Sequence, residues 1–326
     1  MKITRYVALG AVLFFFSACE KESEIADDFN SIELEAAAPI FKELKNNSFP
    51  ITGLGIPDVG KFSEHGQLQL SIYSAEYITA GEGEHVGNTV FFMNTGNKQL
   101  GADFVPGYSL DGTSDISYYT DANRASEDLE ISVTTAAIER AMNTWKDVTC
   151  SETGLFEVPN DGRQTGFYAK LLSDITPFDF GGSYEYVADV VHSGWLPGEF
   201  FDFLAQDGST FILGVTFTLI FTTEEGDPTD IDNNNKADAA FREIYYNDAF
   251  SWNDGGTYDV ETIALHEAGH GLSQGHFGKA FRTNSNSKIH FAPRAVMNAA
   301  YSGVQTNILE TDNAGHCSNW SSWPRN

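Results

Sequence analysis

Leu265-His266-Glu267-Ala268-Gly269-His270-Gly271-Leu272-Ser273-Gln274-Gly275-His276 is the stretch whose reading decides the fold. His266 and His270 stand four residues apart, so on a helix both imidazoles leave the same face about one turn apart. That separation suits two ligands of one tetrahedral zinc ion. Glu267 points to a neighbouring part of the surface, within reach of a water on the metal but outside the ligand set. The chain must then stop being helical and turn back to bring His276 to the third position. Gly271 and Gly275 bracket that turn, and glycine tolerates the backbone angles expected there.

The flanks agree with this reading. Asp259, or Thr257 before it, offers an N-cap, and Glu261 favours the positive end of the helix. Val260, Ala264, Ala268 and Gly271 line the back face with small groups, which allows close packing. No Asp or Glu lies between Ala268 and Leu309. A zinc site completed by a downstream carboxylate therefore has no candidate there, and His276 is the natural third ligand. Three neutral imidazoles leave the zinc its full double charge and an open position, where water is acidified towards a pKa of ~7. Glu267 is then placed to act as general base on that water.

These residues resemble the metzincin clan of zinc peptidases, whose pattern is H-E-x-x-H-x-x-G-x-x-H followed by a Met-turn. His266, Glu267, His270 and His276 sit at matching positions, and Leu272 looks like the matrixin branch. Ser273 departs from the pattern, because it stands where the clan has Gly. Ala295-Val296-Met297-Asn298 lies where the Met-turn is expected, so the resemblance makes Met297 the hydrophobic floor of the metal site. It also offers Tyr301 as a group reaching the substrate oxyanion, the competing reading being a packed aromatic. Upstream, Ile116 to Tyr119, Ala137 to Trp145 and the strand around Ala188-Asp189 resemble the first strand, first helix and third strand of a matrixin-like catalytic domain. The resemblance covers roughly residues 110–320. It implies an α/β fold: a twisted, mostly parallel five-stranded sheet backed by two long helices, with a small C-terminal subdomain. It implies a zinc-dependent endopeptidase whose polypeptide substrate runs along the sheet edge above the metal. The rival reading is a non-catalytic surface lipoprotein that binds protein or glycan and uses zinc structurally.

The chain has 326 residues with 41% apolar content, enough to bury a full core. Its net charge of −27 leaves no basic face for phosphates, so nucleic acid is excluded as a partner class. Residues 1–18 read as a signal segment, with Lys2 and Arg5 before a short apolar run. Phe16-Ser17-Ala18-Cys19 resembles a bacterial lipobox. That implies cleavage before Cys19, lipidation of its thiol and an anchor on the outer membrane or cell surface; an ordinary secretory signal is the alternative. Residues 19–48 are acidic and read as a tether.

Residues 49–112 read as a β-rich extension or propeptide, and residues 113–326 as the catalytic domain. Gly53 to Phe62 echoes the matrixin propeptide switch, but Leu54 replaces the cysteine and only Asp58 could serve as a carboxylate latch. Chance similarity is the alternative. Thr135 to Val148 reads as a helix capped from Ser132, Thr134 or Thr135, and Gly166 to Asp202 as further strands. Thr210 to Thr222 and Phe241 to Asn247 read as strands of one sheet. Asp230, Asp232, Asn234 and Asp238 place oxygens at positions 1, 3, 5 and 9 of a calcium loop. That loop lacks the glycine at position 6 and the glutamate at position 12, and a plain Asn/Asp-rich surface turn is the alternative. Cys150 and Cys317 form either one disulfide or two buried thiols.

Overall fold

The computed structural model describes residues 48–50, 68–93, 101–108, 112–283 and 288–324. The signal segment, Cys19, the tether up to residue 47, Leu54 and Asp58 lie outside the described residues. Among the described residues no helix is long and apolar enough to cross a membrane.

The fold is mixed α/β. Its centre is mostly parallel: β9 (Ala237–Asn247), β7 (Val190–Leu196), β5 (Ile116–Thr120) and β6 (Leu155–Glu157) run in one direction, in that order. β8 (Ile212–Thr222) joins β9 antiparallel, as a direct hairpin return allows. A sheet of five strands was expected. The sheet does not stop there. β2 (Gln69–Thr79) pairs antiparallel with β8 along nearly its whole length. β1 (Ser48–Pro50) and β3 (Thr89–Phe91) pair with the far edge of β2, and β4 (Ala102–Phe104) adds parallel to β9. The sheet therefore has nine strands among the described residues. Four of them come from residues 48–104, so the stretch read as an extension contributes to the same sheet as the rest.

β8 is buried at every position, which explains why its sequence shows no alternation. Two helices cover one face of the sheet. α1 (Ile131–Lys146) presents Ala137, Ile138, Ala141, Met142 and Trp145 at three- and four-residue spacing, and all are buried. It begins at Ile131 behind Glu130, four residues earlier than its sequence suggests, so Ser132, Thr134 and Thr135 lie inside the helix rather than capping it. α4 (Val260–Gly271) is buried all round. The Trp145 indole N–H donates to Leu265 O at 2.8 Å and ties the two helices together.

Two stretches expected as strands are helical: α2 (Phe167–Ile175) and the short α3 (Gly198–Asp202). The cause at α2 is tertiary. Glu243 on β9 accepts from the Phe167 and Tyr168 N–H groups at 2.6 and 3.0 Å, satisfying donors the first helical turn leaves free. That buried carboxylate sits 75 and 76 residues further along the chain than the two donors, so a local pattern does not reveal it. A two-stranded hairpin, β10 (Lys279–Arg282) with β11 (Ile289–Ala292), and α5 (Glu310–Trp320) complete the C-terminal part.

Cys150 and Cys317 are joined by a disulfide with Cα atoms 5.6 Å apart, linking the end of the α1 region to α5. The closed loop is long, so a Cys150→Ser or Cys317→Ser variant is expected to lose about 2–5 kcal/mol of stability. Denaturant unfolding followed by tryptophan fluorescence measures this; an unchanged midpoint would show that the crosslink carries no stabilising role.

Candidate metal centre

The site is built on α4. Asp259 caps the helix, its carboxylate accepting the Thr262 N–H at 2.8 Å. At the other end Arg242 from β9 reaches the last turn. Its guanidinium donates to Gly271 O at 3.0 Å, to Ala102 O at 2.8 Å and to the Thr218 hydroxyl at 3.1 Å. A buried cation there meets the negative end of the helix. Burial still costs it, and pulls its pKa down to about 10.

His266 and His270 leave α4 on one face, as their spacing requires. His266 Nδ1–H donates to Val296 O at 2.7 Å, and His270 Nδ1–H donates to Gln274 O at 2.6 Å. These bonds fix the tautomer, so both Nε2 atoms carry bare lone pairs. His276 comes back from the turn to meet them. The Nε2 of His270 lies 3.1 Å from that of His266 and 3.2 Å from that of His276. Nitrogens around a tetrahedral zinc, each 2.0–2.1 Å from it, stand about 3.3 Å apart. The spacing fits within a few tenths of an ångström. Protonation is a poor way to relieve the convergence of lone pairs. Burial, with neighbouring histidines adding to it, pushes His266 and His276 well below the usual histidine range, and burial pulls His270 down to about 4. A cation satisfies all three nitrogens at once.

Glu267 is fully buried beside them. Its Oε2 accepts from the Thr216 hydroxyl of β8 at 2.6 Å, and its Oε1 has no hydrogen bond of good geometry. The carboxylate lies flat against β8 at Gly214, where an added Cβ would come within 3.1 Å of the Glu267 side chain. Burial raises its pKa well above the carboxylate range, and the nearby Glu76 adds to this. The Thr216 hydroxyl and the Ile78 N–H of β2 pull the other way.

The turn to His276 works differently from the sequence expectation. Neither Gly271 nor Gly275 takes a left-handed conformation; Ser273 does, at φ 66°. Gly271 is needed for packing instead, since a Cβ there would meet Val190 at 2.9 Å. Gly275 faces open space. Ser273 is held by its backbone: its N–H donates to His270 O at 3.0 Å, and its carbonyl accepts from Asn319 at 2.8 Å.

Met297 lies under the site against Gly269, where an added Cβ would sit 2.3 Å from its sulfur. Asp312 at the start of α5 holds the segment in place, accepting the N–H groups of Val296 at 2.9 Å and Met297 at 3.1 Å. Phe277 N–H donates back to Met297 O at 2.8 Å, which seats His276. Tyr301 does not face the histidines through its hydroxyl. That group donates to Gly256 O at 3.2 Å, in the loop before α4, so the oxyanion role expected for it has no support in the geometry.

Sequence reasoning missed Glu76. It projects from β2 and places Oε1 3.6 Å from His270 Nδ1. Burial pushes its carboxyl up to about 7, opposed by Arg242 and a bond from Thr89. With His276, Arg242, Gln274, Met297 and Asn319 it lines a cavity of about 620 Å³. Its only sequence signal is a lone carboxylate inside an apolar strand.

β2 also changes the substrate picture. It runs antiparallel to β8 on one side. On the other it bridges in parallel to Ala300, with Tyr301 N–H donating to Thr79 O at 2.8 Å. β8 is therefore not a free edge, and a peptide cannot add to it while β2 is in place. No family model matches the chain, and no curated protein matches it significantly.

Ser273→Gly should stabilise the protein by roughly 1 kcal/mol, since the left-handed conformation disfavours a side chain and the Ser273 hydroxyl has no partner. Thermal unfolding should show a higher midpoint. A lower midpoint would mean that the serine side chain has a bonding role.

Proposed function

We propose that this chain is a zinc-dependent endopeptidase. The observation that carries the reading is the convergence of three Nε2 atoms beside a buried, half-satisfied glutamate on one helix. His266, His270 and His276 would hold the ion. Zinc held there would supply Lewis acidity, polarising a carbonyl, acidifying a water and drawing the Glu267 pKa back down. Val296 O and Gln274 O hold the two helical imidazoles in the ligating tautomer. Thr216 fixes one oxygen of Glu267 and leaves Oε1 to take a proton from water and pass it to the leaving amine. Met297, seated by Asp312, fills the space beneath the imidazoles and keeps water from their far side. A lipid anchor at Cys19 would hold this activity outside the cytoplasm, on the outer membrane or cell surface.

Glu267→Gln removes the base and keeps the isosteric bond to Thr216. It should bind zinc at the wild-type stoichiometry and lose turnover by at least a thousandfold on a casein-type substrate. Full chelator-sensitive cleavage by that variant would contradict the assignment.

A second reading has one observation in its favour. β2 fills the position beside β8, as expected if the chain is a non-catalytic surface protein with structural zinc. Ser74 and Thr218 are register partners across β2 and β8. If the chain is a peptidase, β2 must leave before a substrate pairs with β8. A Ser74→Cys/Thr218→Cys disulfide should then abolish casein cleavage reversibly, with reduced wild-type protein as the control for the native crosslink. Stoichiometric zinc with no chelator-sensitive cleavage in any of these forms would favour the binder.

A further inference from the structure

Outside the histidines, the loop from β8 to β9 brings carboxylate oxygens of Asp230, Asp232 and Asp238 within 4.8 Å of one another and turns the Asn234 oxygen to the Lys236 N–H at 2.8 Å. Neither cluster accounts for α5. That helix grips the backbone on both sides of the metal centre. Asp312 accepts the N–H groups of Val296 and Met297. Val296 O holds the His266 ring, and Met297 O seats Phe277 beside His276. Further along the helix, Asn319 donates to Ser273 O and the Trp320 indole N–H donates to Leu272 O, both at 2.8 Å. Between them Gly315 lies against Gln274, whose carbonyl holds the His270 ring; an added Cβ would sit 3.0 Å from Gln274 Oε1. One helix thus touches every segment that keeps the three imidazoles convergent.

The helix has a weak hold of its own on the rest of the fold. Its buried side chains are Asp312, His316 and Trp320, a single stripe at four-residue spacing with Trp320 the one large apolar member. Asp312 is taken up by the clamp. His316 stacks on Trp145 of α1 with ring centroids 5.6 Å apart, and its Nε2 lies 3.3 Å from the Ser151 hydroxyl. A stripe that narrow buries less apolar surface than the usual amphipathic face. The covalent tie falls in the middle of the grip. Cys317, between Asp312 and Asn319, is bonded to Cys150 just past α1. Both cysteines are half-buried, within reach of a small reductant.

We propose that the Cys150–Cys317 disulfide is a redox gate on the metal centre, an inference that rests on the zinc reading above. A dithiol reductant attacks one sulfur, passes two electrons and two protons to the pair, and leaves as its own cyclic disulfide. Cys150 and Cys317 become thiols. The helix α5 is then held by its narrow stripe alone. The clamp on Val296 and Met297 and the ties to Leu272 and Ser273 loosen, and the three Nε2 atoms lose their fixed spacing. Zinc affinity falls with that loss of preorganisation. In a reducing compartment the chain stays metal-free and inert. It takes up zinc once the disulfide carriers of an oxidising compartment remove the two electrons and two protons.

The test compares the full chain oxidised and after reduction by a water-soluble phosphine, which is then removed without air. Zinc chloride titrated against a chelating dye should show an affinity at least about tenfold lower for the reduced chain, recovered on reoxidation. Cys150→Ser/Cys317→Ser should match the reduced chain and ignore the reductant; the reduced wild-type chain carries the test if that variant fails to fold. In the metal-free protein, amide hydrogen exchange should rise on reduction in α5 and at residues 272–276 and 296–297, and stay unchanged across β8 and β9. Equal zinc affinity in the two states, or unchanged exchange at those residues, would overturn the gate and leave the zinc reading in place. Exchange rising throughout β8 and β9 would also overturn it, because the crosslink would then hold the whole fold rather than α5. An oxidised chain that binds no zinc would overturn the zinc reading and the gate together.

Discussion

Three imidazole lone pairs are made to face one another inside the protein, and the rest of the site exists to keep them there. Each ring would relax if it could. Val296 O and Gln274 O prevent two of them from turning, and burial makes protonation costly. The same constraint explains details that otherwise look unrelated. Gly269 is small because Met297 packs on the helix backbone, and Gly271 is small because Val190 does. Arg242 is buried at a real desolvation cost because the last turn of α4 needs a donor where it ends. Ser273 accepts a left-handed backbone because the chain must reverse within a few residues for His276 to arrive.

The carboxylates around this centre have separate tasks. Asp312 accepts three backbone N–H groups, those of Val296, Met297 and Leu309, and acts as a clamp on the segment below the histidines. Glu267 has one oxygen engaged by Thr216 and the other without a hydrogen bond of good geometry. Glu76 arrives from another strand and lies on the cavity side of His270. Its position means that β2 brings a charge to the centre as well as covering it.

What could be read from the sequence is what depends on short range. The spacing of His266 and His270, the Asp259 cap, the apolar spacing of α1 and the β-branched run of β8 all express local geometry, and the structure has them nearly where the pattern places them. What escaped depends on partners far along the chain. α2 is helical because Glu243 satisfies its first turn. β2 sits beside β8 through main-chain pairing, which leaves little trace in side chains. The turn was legible as a turn, but not which residue would take the unusual angle. Glycines were the natural expectation there, and packing had already claimed one of them.

The metal is the point on which everything else depends. A crystal structure of the purified full chain, with anomalous data collected on both sides of the zinc edge, tests it directly. One zinc peak is expected about 2.0–2.1 Å from the Nε2 atoms of His266, His270 and His276, with a fourth position that no protein side chain fills. No peak at the three histidines, or a shell closed by Glu76 or Glu267, would contradict it.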